Sequence, residues 1–357
     1  MQNKNNCFSF KFIVCLLILF LAGSLSFAAK KKNGKQQKMP EWVIAPSNVF
    51  PEDKYFAAVG NGSDRDSAEV RAVNSLASIF NQSVKTETKS SKRMSQAQID
   101  GKVAIANIED FNQKILKKVD VDDLIGIEIK EVWFDTKENW YAVAVMDKDA
   151  AARIIVDMIK KNSSAVEDLL RGAESSEPSI EKFATLDFAC DIAIEDESLL
   201  QRLMIINPDK AEDARTLCQS PNKVAAKRFD VAKSIPMFVD FQGDVNGRIE
   251  NTYLEEISKF GFMSSQNKNA RYVLTALISF EESETTDKKS TRCRYNIDSF
   301  ILDRKTGNQL LPFKASGREG HVSYDEAKER AIKSMEKKIR GGFSDAMKNY
   351  FRNFIGQ

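Results

Sequence analysis

Hydrophobic and polar positions change period several times along this chain, and each change predicts an element. Residues 55–84, YFAAVGNGSDRDSAEVRAVNSLASIFNQSV, open with a continuous apolar run in which Tyr55, Phe56, Val59 and the alanines between them read as a buried strand. Gly60 and Gly62 flank Asn61, and all three residue types tolerate positive φ, so a tight structural turn is expected there. Ser63 or Asp64 then caps a helix whose positive end carries Asp66 and Glu69. Ala68, Ala72, Leu76, Ile79 and Phe80 recur at helical spacing as one apolar stripe. Upstream, MPEWVIAPSNVFPEDK holds Trp42, Val43 and three prolines and reads as an extended lead-in.

Past this helix the pattern loosens. SVKTETKSSKRMS is rich in serine and threonine and reads as a solvent-facing strand or an arm, and residues 103–121 fit helix and strand equally. Residues 124–134 (LIGIEIKEVWF) alternate clearly, and residues 140–146 (WYAVAVM) follow across a link from Asp135 to Asn139 whose composition is that of a hairpin. Residues 147–161 close the unit as a helix with Ala151, Ile154, Ile155, Met158 and Ile159 inward. Residues 163–228 are helical in character. Glu177-Pro178-Ser179 starts one helix, striped by Ile180, Phe183, Leu186, Ala189 and Cys190, and Asn207-Pro208-Asp209 starts another. A tetratricopeptide-like pair is the alternative, but no self-similarity at about 34 residues supports it.

A second αβ unit begins near Phe229. Residues 235–241 (IPMFVDF) read as a strand and residues 243–247 as a turn; Ile249, Tyr253, Leu254 and Ile257 form the buried face of a helix ended by Gly261, and Phe262 begins a short strand. Residues 271–280 (RYVLTALISF) predict a long strand, residues 281–289 an acidic, polar hairpin tip, and residues 291–303 an antiparallel return with Cys293, Tyr295, Ile297 and Phe300 alternating. Residues 305–308 are a turn and residues 310–317 the next strand. Ser323 and Glu326 form a capping box for a last helix carrying Ala327, Ala331, Met335, Ile339, Phe343, Met347 and Phe351 on one face. The fold class expected is α+β, two mixed α/β-layer domains with mostly antiparallel sheets. The expected organisation is 1–28 signal peptide, 29–40 lysine-rich tether, 41–162 first αβ domain, 163–228 helical connector and 229–357 second αβ domain.

Size and composition agree with two soluble globular domains: 357 residues, 29% charged and 42% hydrophobic. The formal charge of +2 is unevenly placed. Loss of Lys4 and Lys11 with the first 28 residues leaves basic and acidic side chains equal in number. Lys30, Lys31, Lys32, Lys35 and Lys38 then crowd the new N-terminus, so the body is mildly acidic. Such a body lacks the basic excess that nucleic-acid binding needs.

Residues 1–29 carry the parts of a secretory signal. Lys4 and Lys11 give positive charge, residues 12–22 the apolar region, and SLSFAA the small residues, with cleavage expected after Ala28 or, next, after Ala29. An uncleaved anchor is the alternative, since residues 12–29 are about long enough to span a bilayer when tilted. Lipidation would need a cysteine just after the apolar region. Cys15 follows Phe12, Ile13 and Val14, and Cys7 lies earlier still, so the chain reads as secreted, to the periplasm or cell envelope. Three cysteines remain after cleavage. Cys190 and Cys218 lie in one helical segment and would form a disulfide if antiparallel helices bring them together; equally, they read as buried thiols. Cys293 reads as a core residue.

No reading of catalytic residues, cofactor or metal comes out of the motifs. Gly60-Asn61-Gly62 lacks the third glycine and the ribose-binding acid of a nucleotide loop. His321 is the one histidine, so a histidine-based zinc site or a serine triad would both depend on it; a surface histidine is the plainer reading. Asp120-Val121-Asp122-Asp123 lacks the central glycine and distal glutamate of a calcium loop. Carboxylate pairs such as Glu109 with Asp110 or Glu281 with Glu284 leave a carboxylate-dependent envelope hydrolase as the alternative function. Trp42, Trp133 and Trp140 would line a ligand groove or else belong to the core.

The Pro40-Glu41-Trp42 lead-in, YFAAVGNGSD, AEVRAVNSLASIF and WYAVAVMDKDAA come in an order that resembles the Lpp-twenty lipoprotein family of bacterial envelope proteins, and in particular its long, two-part versions in spirochaetes. The resemblance implies a small α+β domain exposed in the periplasm or at the outer membrane, without enzymatic activity. Absence of an acceptor cysteine departs from the family's usual anchoring. The second unit resembles, by its order of elements, the TolB amino-terminal domain, the curli-secretion lipoprotein and the lipoprotein activators of penicillin-binding proteins. The expected function is therefore a non-enzymatic binding or assembly module whose partners are envelope proteins or cell-wall components. Its expected surfaces are an exposed sheet edge and the 281–289 tip. Membrane association would run through an uncleaved signal or the lysine-rich tether.

Overall fold

The computed structural model describes residues 38–96, 125–135, 139–284 and 290–354. The lead-in is not extended. It forms two single turns, α1 (Glu41–Ile44) and α2 (Pro46–Val49), because Pro40 and Pro46 pre-set the φ of a helical start and Ala45 N–H closes onto Glu41 O at 2.9 Å. The chain continues into β1 (Tyr55–Gly62), α3 (Arg65–Gln96), β2 (Ile127–Phe134) and β3 (Trp140–Asp147), whose strands pair antiparallel in the order β1-β3-β2.

The expected turn at Gly60 and Gly62 is corrected. Both glycines lie inside β1, paired with Ala142 and Trp140, and neither has positive φ. They are needed for a different reason. A Cβ on Gly60 would overlap Ala72 N and Ala68 O and stand 2.8 Å from Ala72 Cα, and one on Gly62 would stand 2.8 Å from Ala68 N. The glycines thus let α3 lie directly on the strand. Ser63 and Asp64 make the reversal, Asp64 capping α3 by accepting the Ser67 N–H at 2.8 Å. Ala68, Ala72, Leu76 and Phe80 are buried as expected, whereas Ile79, one helical step off their line, is 50% exposed. The helix runs on through Gln96, where a strand or an arm had been expected.

Four helices follow: α4 (Lys148–Glu174), α5 (Ile180–Ile206), α6 (Pro208–Arg215) and α7 (Pro221–Ser234). Asp147, Ser179 and Asn207 cap the first three with their side chains. The boundaries expected at 162/163 and 228/229 fall inside α4 and α7. The helices do not form a separate linker: they pack into both cores. Ile180, Phe183, Ala184 and Leu186 of α5 join the core of the second sheet, while Ala189, Cys190, Ala193, Ile194, Leu199, Leu200 and Leu203 join that of the first.

The second sheet comprises β4 (Met237–Gln242), β5 (Ser264–Ser265), β6 (Tyr272–Glu284), β7 (Thr291–Asp303) and β8 (Asn308–His321), in the order β5-β4-β6-β7-β8. β4 is parallel to β5 and β6, and the remaining pairs are antiparallel. The expected α+β class with mostly antiparallel sheets is present. α8 (Arg248–Ser258), α9 (Tyr324–Lys338) and α10 (Ser344–Phe354) cover one face. The last two are joined by one π-helical turn, Ile339–Phe343. Seven residues expected on one stripe, every fourth from Ala327 to Phe351, are all buried. In a regular α-helix that spacing drifts by about 40° per step. The wider π turn takes back part of the drift and keeps Met347 and Phe351 facing the core.

Arg271 grips Asp303 with two hydrogen bonds of 2.9 and 2.7 Å and lies 4.0 Å from Glu181, at the start of α5. The Tyr272 hydroxyl accepts the Ile180 N–H at 3.1 Å, so this corner of the sheet pins that helix end.

Two predictions follow from this packing. Gly60→Ala should lose about 1–3 kcal/mol of unfolding free energy by overpacking, whereas Gly172→Ala, in α4 with nothing within 4 Å of its Cβ position, should gain up to about 1 kcal/mol; urea melts of the two variants check the contrast. The Arg271 hydrogen bonds hold the Asp303 carboxyl below its ordinary value. A lowered folded pKa gives stability that is present above the unfolded pKa and lost as pH falls through the folded one. Asp303→Asn should therefore cost about 1.5–3 kcal/mol at pH 7, with the difference from the parent shrinking in melts run at progressively lower pH.

Candidate functional site

A binding module built from sheets can offer an edge or a face. The edges here are blunted, against the expectation of an exposed one. On β1, Arg71 donates to the Asn61 carbonyl at 2.9 Å. β2 is broken by a register shift between Ile129 and Glu131 and carries Glu128, Lys130 and Glu131 exposed. β5 has only two residues. On β8, Lys338 and Arg330 of α9 donate to the carbonyls of Ser316 and Gly320. Bulges, short strands and edge charges of this kind discourage strand addition.

The faces differ more. The inner face of the first sheet, with Ala58, Ala142, Ala144 and Met146, lies in the core with α3 and α5. Its outer face is closed as well, since Trp42, Val143 and Val145 cluster with Tyr55, Trp133 and Tyr141 beneath α1 and α2. Trp42 Nε1 donates to Glu131 Oε2 at 2.6 Å. In the second sheet, Leu274, Ile278, Cys293, Tyr295 and Ile297 face the helices. Residues of the opposite parity belong to none of the buried clusters, and strand alternation puts them together on an open face.

That open face has a definite chemistry. At one end it is apolar, with Phe300 and Leu302 beside a buried Val273; midway along β6 Leu277 is exposed beside Asp298, which pairs with Lys314 at 2.6 Å. At the other end Arg294 stands directly opposite Arg318, and Arg292 lies two residues along the same strand, opposite Gly320. All three arginines are exposed, and none makes an ion pair or side-chain hydrogen bond among the described residues. Ser283, Asn296 and Ser316 supply exposed polar groups around them.

The residues singled out from the sequence do not converge. Trp42 and Trp133 belong to the outer layer of the first sheet, but Trp140 packs on its inner core and against Phe134, with ring centroids 4.9 Å apart, so there is no common tryptophan groove. His321 ends β8 and pairs through Nδ1 with Glu326 at the start of α9. Glu281 lies on the open face opposite Arg294, and Glu284 is the last ladder residue of β6, opposite Thr291. Ala28, Ala29, Glu109, Asp110 and the Asp120–Asp123 run lie outside the described residues. Of the two readings of Cys190 and Cys218, the structure takes the thiol one. Cys190 Sγ is 4.0 Å from the Pro221 carbonyl, while Cys218 Sγ is 3.5 Å from Ala214 O and 4.0 Å from Ser163 Oγ. Cys293 is a core residue, as expected. Among the described residues no cluster of three or more His, Cys, Asp or Glu side chains could hold a metal ion, and no helix is long and apolar enough to cross a membrane.

Sequence reading missed a polar cluster where α4 meets α5. Asp196 is buried and accepts from Asn162 Nδ2 at 2.8 Å and Ser163 Oγ at 3.3 Å. An Asn-Ser pair in α4 facing an Asp in α5 was the only signal, and it needs the helix pairing to be seen. The cluster is satisfied internally and ties the two helices together.

The model of the LPP20 lipoprotein family matches residues 40–147, less than a third of the chain. Residues 40–147 thus resemble the LPP20 lipoprotein family. Among solved structures, the secreted protein HP1454 from Helicobacter pylori is 10% identical, with 82% of this chain and 97% of that one covered and a TM-score of 0.42. A minor lipoprotein from Acinetobacter baumannii is 19% identical over 34% of this chain and 91% of its own, with a TM-score of 0.22. Rare lipoprotein B from Shewanella oneidensis is 13% identical over 34% and 94%, with a TM-score of 0.21. These are partial likenesses, and no property passes from those proteins to this one. No curated protein matches the chain.

Burial, with the Asp196 carboxylate adding to it, pushes the Cys218 thiol up to about 11. The thiolate is the reactive form, so in the reduced protein Cys218 should react with iodoacetamide at pH 8 about a hundredfold more slowly than an ordinary thiol. Mass spectrometry of timed aliquots reads this directly, and equal rates in folded and urea-unfolded protein would contradict it.

Proposed function

We propose that this protein is exported to the cell envelope and acts there, without enzymatic activity, as a binding or assembly module in the periplasm or at the outer membrane. The observation that carries the reading is the LPP20 family match over residues 40–147. The signal-like residues 1–29 and the open face of the second sheet agree with it. Its partners are envelope proteins or cell-wall components, engaged through surface contact rather than turnover. Nucleic acid is not among them, given a body that is acidic after Pro40.

The test begins with fractionation of cells carrying a C-terminally tagged chain. A mature form beginning at Ala29 or Lys30 is expected in the envelope fraction. A membrane-impermeant cross-linker added to intact envelopes should then shift that form into defined higher-mass species. Recovery of the full-length precursor from the cytosol would overturn export, and a cross-linking pattern unchanged from that of the isolated protein would overturn the binding role.

A further inference from the structure

We propose that the open face of the second sheet docks onto an anionic lipid surface through Arg292, Arg294 and Arg318. The proposal rests on the envelope-binding reading and adds a lipid surface to the partners given there.

The geometry begins with a local cost. Like charges directly opposite on neighbouring strands repel, and Arg294 faces Arg318 in the β7–β8 ladder while Arg292 sits one alternation away. No carboxylate in the described chain pairs with any of the three. Acids of the same strands are engaged elsewhere: Glu282 accepts from Thr291 Oγ1 at 3.0 Å and Glu319 from Ser334 Oγ at 2.6 Å. Glu281 alone shares the arginine end of the face. The strands thus sort their charges, leaving a net positive end on the face that no helix covers.

Shape and position favour a lipid surface over an acidic peptide. β4 pairs no further than Gln242 with Leu277, whereas β6 runs on to Glu284, so the arginines sit on an arm that projects beyond the rest of the sheet. Val322, 77% exposed, follows directly on β8 at the same end. An extended peptide would gain main-chain hydrogen bonds only at an edge, and on β8 the carbonyls of Ser316 and Gly320, beside Arg318, are taken by Lys338 and Arg330. What remains is a set of exposed arginines, unpaired among the described residues, on one face of the sheet. Headgroup phosphates that diffuse laterally can arrange themselves to meet such a set, and each charge brought to the surface adds to the affinity.

The experiment uses the exported protein with its lysine tether intact and sucrose-loaded vesicles of phosphatidylglycerol and phosphatidylcholine, 1:3, beside vesicles of phosphatidylcholine alone. Co-sedimentation should be seen only with the anionic vesicles and should fall steeply with added salt. The triple variant R292Q/R294Q/R318Q should lower the partition coefficient by about a hundredfold, with its thermal midpoint unchanged or raised because a repulsion has gone. The corresponding triple lysine variant should keep most of the binding. Equal partitioning of parent and glutamine variant would overturn the proposal, as would equal binding to both vesicle types. Arginine-dependent binding to soluble polyglutamate with none to vesicles would overturn it in favour of an acidic protein partner. If the parent protein fails to bind vesicles of either kind while its envelope cross-links persist, the lipid assignment falls and the binding module stands.

Discussion

One helix holds this molecule together. α5 is buried or half-buried along its whole length except at Phe188, so it needs partners on every side. Its first turns cover the second sheet and its later turns cover the first. Neither core is complete without it, and the two sheets therefore share a structural element rather than facing each other across a linker. The capped start of α5, fixed by Ser179 and by the Tyr272 hydroxyl, sets where along the helix one core ends and the other begins.

With that helix in place, the sheets diverge in how they meet water. The first is a three-stranded layer closed on both sides, by α3 within and by α1 and α2 without. The second packs its helices on one side only; its other side is apolar around Val273, Leu277 and Phe300 and polar toward the far ends of β7 and β8. Long strands and a single covered face give clean alternation, which is why chemistry collects on β7 and β8.

Much of this was legible in the sequence because alternation and helical stripes report burial directly. The stripe of the last helix, the cap at Ser179, the strand from Tyr272 and the return with Cys293, Tyr295 and Ile297 inward all follow from period alone. Gly60 and Gly62 were misread because the residue type that permits positive φ also permits close approach, and sequence does not say which is being used. The lead-in was misread because proline starts a helical turn as readily as it extends a chain. Ile79 and Ile154 pointed outward because stripes drift when drawn one residue wide. The arginine cluster was half visible. Arg292 and Arg294 share a parity within β7, but their meeting with Arg318 depends on a register between strands that no local pattern encodes.

The contact between Phe183 and Phe351, 4.8 Å between ring centroids, joins α5 to the final turns of the chain. The two rings are far apart in sequence, so seating α5 on the second sheet closes a long loop. Non-local closure of this kind slows folding more than it weakens the folded state.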